Sequence, residues 1–169
     1  VWKGMDEQTS AVVFGFLLLL MVPLSVIFGW LADIVPKNWV LCVTSGSGTL
    51  SFLLLAIGGN EAWYIYGFVF LFAIAETSGS NNWAAIGDYY GRTTYGRLRG
   101  ITQFVSSPGV FLAPVYAGWC YDRVESYSAP LWVFTGFFAL AALCFALMRK
   151  PDTPIQENPQ YLLNANLNV

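Results

Sequence analysis

The chain has 169 residues, of which 56% are apolar and 11% charged, with a mean hydropathy of +0.55 and a net charge of −2. Soluble domains carry about 25% charged residues, so an ordinary water-facing surface is excluded, and so is the basic footprint that nucleic acid requires. The sequence contains no histidine, which removes histidine-based catalysis and histidine metal ligation. Cys42, Cys120 and Cys144 sit in or beside apolar runs at spacings that fit neither a zinc site nor a disulfide framework. They are expected to be buried free thiols, with no metal and no cofactor.

A helix needs roughly 20 mainly apolar residues to cross about 30 Å of hydrocarbon, and five stretches meet that need. The first, 11–32, reads AVVFGFLLLLMVPLSVIFGWLA, with Thr9 and Ser10 as N-cap candidates. Pro23 lies mid-span, where neighbours must satisfy the freed carbonyl. The second, 39–57, includes in its first half CVTSGSGTLS, a run of small and hydroxyl residues that suits close helix–helix contact in lipid. The third, 63–86, is strongly apolar to Ala75 and then continues through ETSGSNNWAAI. The fourth, 101–119, carries Pro108 and Pro114. The fifth, 130–148, is almost uniformly apolar and is the best candidate for a lipid-facing helix. After Lys150 the composition turns to PDTPIQENPQYLLNANLNV, a poor core former expected to be a disordered tail over 151–169. Residues 1–150 are thus read as the transmembrane unit. An odd number of spans beginning in a polar stretch, without a leading Met, suggests a fragment of a longer chain.

Lys and Arg favour the cytoplasmic side of a membrane. Alternating loops put Lys37, Arg92, Arg97, Arg99, Arg149 and Lys150 on one side and Lys3 and Arg123 on the other. The 33–38 turn, the 87–100 loop and the C-terminus are therefore expected to be cytoplasmic, in a multi-pass protein of the plasma or cell membrane. Asp6, Glu7, Glu61, Asp122 and Glu125 fall on the opposite side.

The sharpest motif is Gly29-Trp-Leu-Ala-Asp33-Ile-Val-Pro-Lys37. A glycine there permits close helix approach, and the Asp is placed to cap a helix N-terminus or pair with a base. The run resembles the major facilitator superfamily signature Gly-x-Leu-Ala-Asp-Arg-x-Gly-Arg-Arg. Gly29, Leu31, Ala32, Asp33 and Lys37 fit, while Ile34 replaces the usual Arg, Pro36 the usual Gly and Asn38 a basic residue. Downstream, a basic glycine-punctuated segment (87–101) leads to a helix with Pro114 and Gly118, then Tyr121-Asp122 and Ser126-Tyr127. That order resembles the end of oxalate/formate-antiporter-like and monocarboxylate-porter-like members. The resemblance implies an all-α membrane fold, a partial C-terminal six-helix bundle comprising helices eight to twelve, with the N-terminal half of the same transporter missing. It also implies Gly29, Asp33 and Lys37 as a conformational-switch motif.

Glu76 is the first candidate for mechanism, because an ionisable group inside a span costs at least about 2.5–3.5 kcal/mol on insertion scales and is usually retained for function. Ser80 and Trp83 share its face at i+4 and i+7, with Phe72 and Val69 extending that face toward the N-terminus. By the resemblance this is the cavity-lining tenth helix, where a carboxyl suits proton-coupled symport. Pairing with Arg92, Arg97 or Arg99 near the helix end is the structural alternative. Gln103, Ser106 and Ser107 form a second polar stripe at i, i+3, i+4, fit to bind a small polar solute or to join helices. Anion-binding relatives often carry an Arg in the eighth helix or a Lys in the eleventh. Neither 22–29 nor the fourth span has one, which argues against monocarboxylate or oxalate unless the cation lies in the other half.

The expected function is therefore transport of a small solute by alternating access, with the lipid bilayer and the missing half as partners. A membrane enzyme would need clustered catalytic groups, and only Glu76 lies at depth. A non-transporting helical scaffold or receptor-like relative is the alternative.

Overall fold

The computed structural model describes residues 7–59 and 61–149. The tail expected over 151–169 lies outside them, as do Lys3, Asp6 and Lys150 of the charge pattern. All regular structure among the described residues is helical: α1 (Glu7–Ile34), α2 (Lys37–Ile57), α3 (Ala62–Glu76), α4 (Ser78–Val124) and α5 (Ser128–Leu147). Three helices are long and apolar enough to cross a membrane, Gln8–Ile34, Lys37–Ile57 and Ser128–Leu147. The third expected stretch is divided at Thr77, which leaves α3 with 15 residues. The fourth is one part of the 47-residue α4, whose polar middle dilutes its apolar end.

α1 is already helical at Glu7, so Thr9 and Ser10 lie within it and do not cap it. Pro23 is accommodated inside the helix, and nearby Ser25 donates its hydroxyl to Met21 O at 2.6 Å. Only 6% of the most apolar window of α1 is buried. Its inner stripe, with Leu17 at the centre, packs on Val69 and Ala73 of α3.

α2 is the central helix, packed most extensively on α5 and α3. Its buried face is Val40, Leu41, Thr44, Ser45, Ser47, Gly48 and Ser51. The hydroxyls bond their own helix: Thr44 to Val40 O at 3.0 Å, Ser47 to Thr44 O at 2.7 Å and Ser51 to Gly48 O at 2.8 Å. Their polar atoms are thereby satisfied while the side chains stay short. The expected close contact forms at Gly48, where a Cβ would overlap the Phe138 ring of α5. Gly67 of α3 does the same for Leu54, whose Cδ2 would lie 2.7 Å from a Cβ there. One turn from Gly48, the Phe52 ring meets Phe68, Phe72, Phe134 and Phe138 with centroids 5.4–5.8 Å apart. These pairings make α2 antiparallel to both α3 and α5. α5 is accordingly only half lipid-facing: Pro130, Leu131 and Thr135 are buried against α2, while Trp132, Phe137, Leu140 and Leu143 are exposed.

The segment expected as an 87–100 loop is helical except at one residue. Gly91 takes φ 74°, ψ 171°, a conformation essentially restricted to glycine, and divides α4 into a first limb (78–90) and a second (92–124). At the far end Glu125 closes α4 with φ 51°, its N–H reaching Tyr121 O at 2.8 Å. Tyr121 and Tyr127 then stack across the turn at 4.7 Å. The cysteines form no disulfide; Cys120 is buried as expected, Cys42 is half-buried and Cys144 is exposed, because it lies on the outer face of α5.

Replacing Gly48 by Val is expected to cost about 1–3 kcal/mol through overpacking against Phe138. Replacing Gly91 by Ala should cost a similar amount, on the order of 1–3 kcal/mol, through backbone strain. Thermal melts of detergent-purified protein check both, with Gly96→Ala, where a Cβ meets nothing within 4 Å, expected to be neutral.

Candidate functional site

The helix that carries the candidate residues runs across the α3–α4 junction. Thr77 keeps a near-helical φ of −66° and ψ of −15°. Its N–H bonds Ile74 O at 3.1 Å and its hydroxyl bonds the same oxygen at 2.7 Å, so one turn is tightened without breaking the rod. A single buried stripe at every fourth residue crosses the junction: Ile65, Val69, Ala73, Thr77, Asn81, Ala85 and Tyr89. A four-residue repeat drifts about 40° per step against the 3.6-residue helix, so the buried face winds around the rod. Val69 is therefore 1% exposed while Glu76, seven residues on, is exposed. The expected extension of the Glu76 face through Phe72 and Val69 does not form; those side chains belong to the core with Phe52 and Leu17.

On the outward side Glu76, Ser80, Ala84 and Asp88 form a complementary exposed stripe. Two clefts flank it. One, of about 530 Å³, lies within α4 and is lined by Ser80, Trp83, Ala84, Gly87, Asp88 and Tyr95. The other, of about 420 Å³, lies between α1 and α4 and takes in Ser25, Gly29, Asp33, Lys37, Ser80 and Asn81. A third, of about 290 Å³, shares Asp33 and Lys37 with it and adds Asp88 and Tyr89. Lys37 and Asp88 form the one ion pair among the described residues. This contact brings the 33–38 turn and the end of the first limb of α4 to the same end of the bundle.

The break at Gly91 folds the second limb back along the first. A Cβ at Gly87 would lie 3.7 Å from the Tyr95 ring, and the Arg99 guanidinium sits 5.2 Å from the Trp83 ring centroid. Arg99 also donates to the Tyr95 hydroxyl at 3.5 Å.

Of the sequence candidates, the structure brings Ser80 and Trp83 into one cleft and Gly29, Asp33 and Lys37 into another. Glu76 lies one turn beyond Ser80 on the same stripe and makes no ion pair with Arg97 or Arg99. Gln103, Ser106 and Ser107 are exposed and line none of these clefts. Both hydroxyls turn to Gln103 O, at 3.1 and 2.7 Å, and join no second helix. A Cβ at Gly29 would meet nothing within 4 Å. Asp33 is exposed, gives α2 no side-chain cap and forms no ion pair among the described residues; the residue of α4 that meets the turn is another carboxylate, Asp88, and it pairs with Lys37. Asp88 was legible as the next-but-two member of the Glu76 stripe. Asn81 and the position of Arg99 over Trp83 had no such signal.

The Major Facilitator Superfamily matches this chain over residues 3–162. The chain belongs to that superfamily. No curated protein and no solved structure matches it. Membership, together with the apolar helices, makes the chain an integral multi-pass membrane protein of a transporter superfamily, and not an enzyme.

Asp88 is 56% exposed and Lys37 13%, so the ion pair is open to solvent on its carboxylate side. A double-mutant cycle of Lys37→Met and Asp88→Asn, read by thermal melts, is expected to give a coupling of about 0.2–1 kcal/mol. The swap Lys37→Asp with Asp88→Lys should restore part of it.

Proposed function

We propose that this chain forms one bundle of a secondary transporter that moves a small solute by alternating access, coupled to protons through Glu76. On this reading five segments cross the membrane: α1, α2, α3 with the first limb of α4, the second limb of α4, and α5. A second bundle of the same transporter completes the solute path. The 33–38 turn, the Gly91 break and the C-terminus face the cytoplasm.

The observation that carries the reading is the exposure of Glu76 within an apolar rod. A carboxylate turned to lipid is unfavourable by at least about 2.5–3.5 kcal/mol. A face that presents it together with Ser80 and Asp88 is better matched to an aqueous path between two bundles. The pairings Gly87–Tyr95 and Trp83–Arg99 set the register of the two α4 limbs. Carried on by helical rise, that register gives Gln103, Ser106 and Ser107 about the depth of Ser80 and Glu76, which supports a reading in which both polar stripes serve one path. Arg99 supplies a cation that neither α1 nor the apolar part of the second limb holds, which reopens small anions as substrates.

Two exposed tryptophan groups agree with the membrane boundaries. Trp30 and Trp39 mark the end bearing the 33–38 turn, and Trp63, Trp119 and Trp132 mark the other, the positions where indoles settle in bilayers. Among basic residues, Arg97 and Arg99 lie with Lys37 at the first end. This supports a cytoplasmic assignment.

The test uses the full-length transporter in proteoliposomes with an imposed pH gradient, after its solute has been identified from a panel of small polar compounds. Glu76→Gln is expected to lower uphill uptake by about tenfold or more while leaving solute counterflow and protein yield intact, as for a group that carries the proton. Uphill uptake equal to that of the unaltered protein would remove Glu76 from the coupling step.

A further inference from the structure

The two limbs of α4 meet across the Gly91 break around one cation. The Arg99 guanidinium sits 5.2 Å from the Trp83 ring centroid and 6.0 Å from that of Tyr95, whose hydroxyl accepts from it at 3.5 Å. Arg99 is exposed and forms no ion pair among the described residues. A guanidinium carries its N–H donors in a planar fork matched to a carboxylate, and stacking on aromatic rings leaves in-plane donors for an outside acceptor. Trp83 and Tyr95 both line the cleft of about 530 Å³ within α4, a volume ordinary for small-molecule sites.

The other polar side chains of that cleft are acceptors. The Ser80 hydroxyl donates to Thr77 O at 3.0 Å, so its oxygen is left to accept. Asp88 accepts from Lys37 through Oδ2, and its Oδ1 has no partner among the described residues. Lys37 also offsets the Asp88 charge, so this end of the cleft does not bar an anion. Ser80 lies one turn from Trp83 on the Glu76 side. Asp88 lies five residues on, roughly 7.5 Å at 1.5 Å per residue, and the wall between is Ala84 and Gly87.

A ligand that fills this cleft must present an anionic acceptor to Arg99 and, within the reach of a six-carbon chain, O–H donors to Ser80 and Asp88. A neutral polyol leaves the cation unmatched. A plain fatty acid covers the two acceptors without satisfying them, which is costly. A metal cation is repelled by Arg99. A phosphate monoester carries about −1.5 to −2 charges at pH 7 and meets a single available cation, because Lys37 is engaged. One carboxylate matches it.

We propose that the solute is a polyhydroxylated monocarboxylate, a sugar acid, held between the limbs of α4 with its carboxylate on Arg99 and its hydroxyls on Ser80 and Asp88. Trp83 and Tyr95 are positioning residues that hold the guanidinium over the cleft. The proposal rests on the reading above in which this face lines the solute path, and it names the class of solute that takes that path.

Equilibrium binding of radiolabelled D-gluconate to the purified full-length transporter at fixed pH tests it. Unlabelled D-glucose, which lacks the carboxylate, and hexanoate, which lacks the hydroxyls, are expected to compete at least about tenfold more weakly than gluconate, as the loss of charge-assisted hydrogen bonds requires. Glucose 6-phosphate should also compete more weakly. Arg99→Gln should weaken gluconate binding by about tenfold or more, with Arg97→Gln unchanged, and Trp83→Phe should retain more binding than Trp83→Leu. The competitor series needs no variant, so it decides the matter even where Arg99→Gln fails to fold. Gluconate binding no tighter than that of any of the three competitors, or undiminished in Arg99→Gln, would overturn the proposal. Absence of gluconate binding together with uphill uptake of another solute that Glu76→Gln abolishes would remove the sugar acid and leave the transport reading standing.

Discussion

The close approach of α2 to α5 is the constraint on which the rest of the bundle rests. Between helices in lipid there is no hydrophobic driving force of the kind that assembles a soluble core, so association depends on packing surfaces that let backbones come near. α2 provides such a surface by burying Thr44, Ser45, Ser47, Gly48 and Ser51 on one side. The hydroxyls are turned into their own backbone, and Gly48 leaves room for the Phe138 ring. Phe52 then links α3 and α5 through four ring contacts. With α2 held between them, α3 is fixed in rotation, and α1 docks on its remaining apolar side through Leu17.

The rotation of α3 decides what the polar residues face. Because the buried stripe repeats every four residues and winds about the rod, it runs past Glu76 and leaves the stripe of Glu76, Ser80 and Asp88 turned outward. The tightened turn at Thr77 continues the winding into α4 without a loop, and Asn81 is carried into the α1 side. Gly91 then reverses the chain in a single residue. That reversal sets Arg99 over Trp83 and brings a cation to a face that would otherwise carry only acids and hydroxyls. The same end of the bundle is closed by Lys37 and Asp88, 51 positions apart in the chain.

The superfamily membership gives these features a common purpose. A transporter needs a bundle rigid on the lipid side and hydrated on the path side, and on the function proposed above the two demands fall on different helices. α2 and α5 hold the aromatic and small-residue seam. α4 carries the glycine-dependent break, the exposed polar stripe and a wall of each of the three clefts around it.

Composition and apolar run lengths alone determined that this is an all-helical membrane chain, because hydrocarbon leaves a spanning backbone few other ways to satisfy its polar groups. Local spacing was enough for the small-residue face of α2, for Glu76 sharing a side with Ser80, and for the signature turn, since each lies within two helical turns. The expected loop at 87–100 failed because glycines and arginines read as a loop by composition, whereas only Gly91 leaves the helix. Pairing was beyond local reach: Asp33 looked like the charged partner in the motif, yet the contact belongs to Lys37 and Asp88 on elements distant in sequence. The burial of Asn81 and the seating of Arg99 on Trp83 were likewise decided by how α1 and the second limb of α4 lie against the rod. Helical periodicity specifies which residues share a face, but which face is covered is set by the neighbours that pack there.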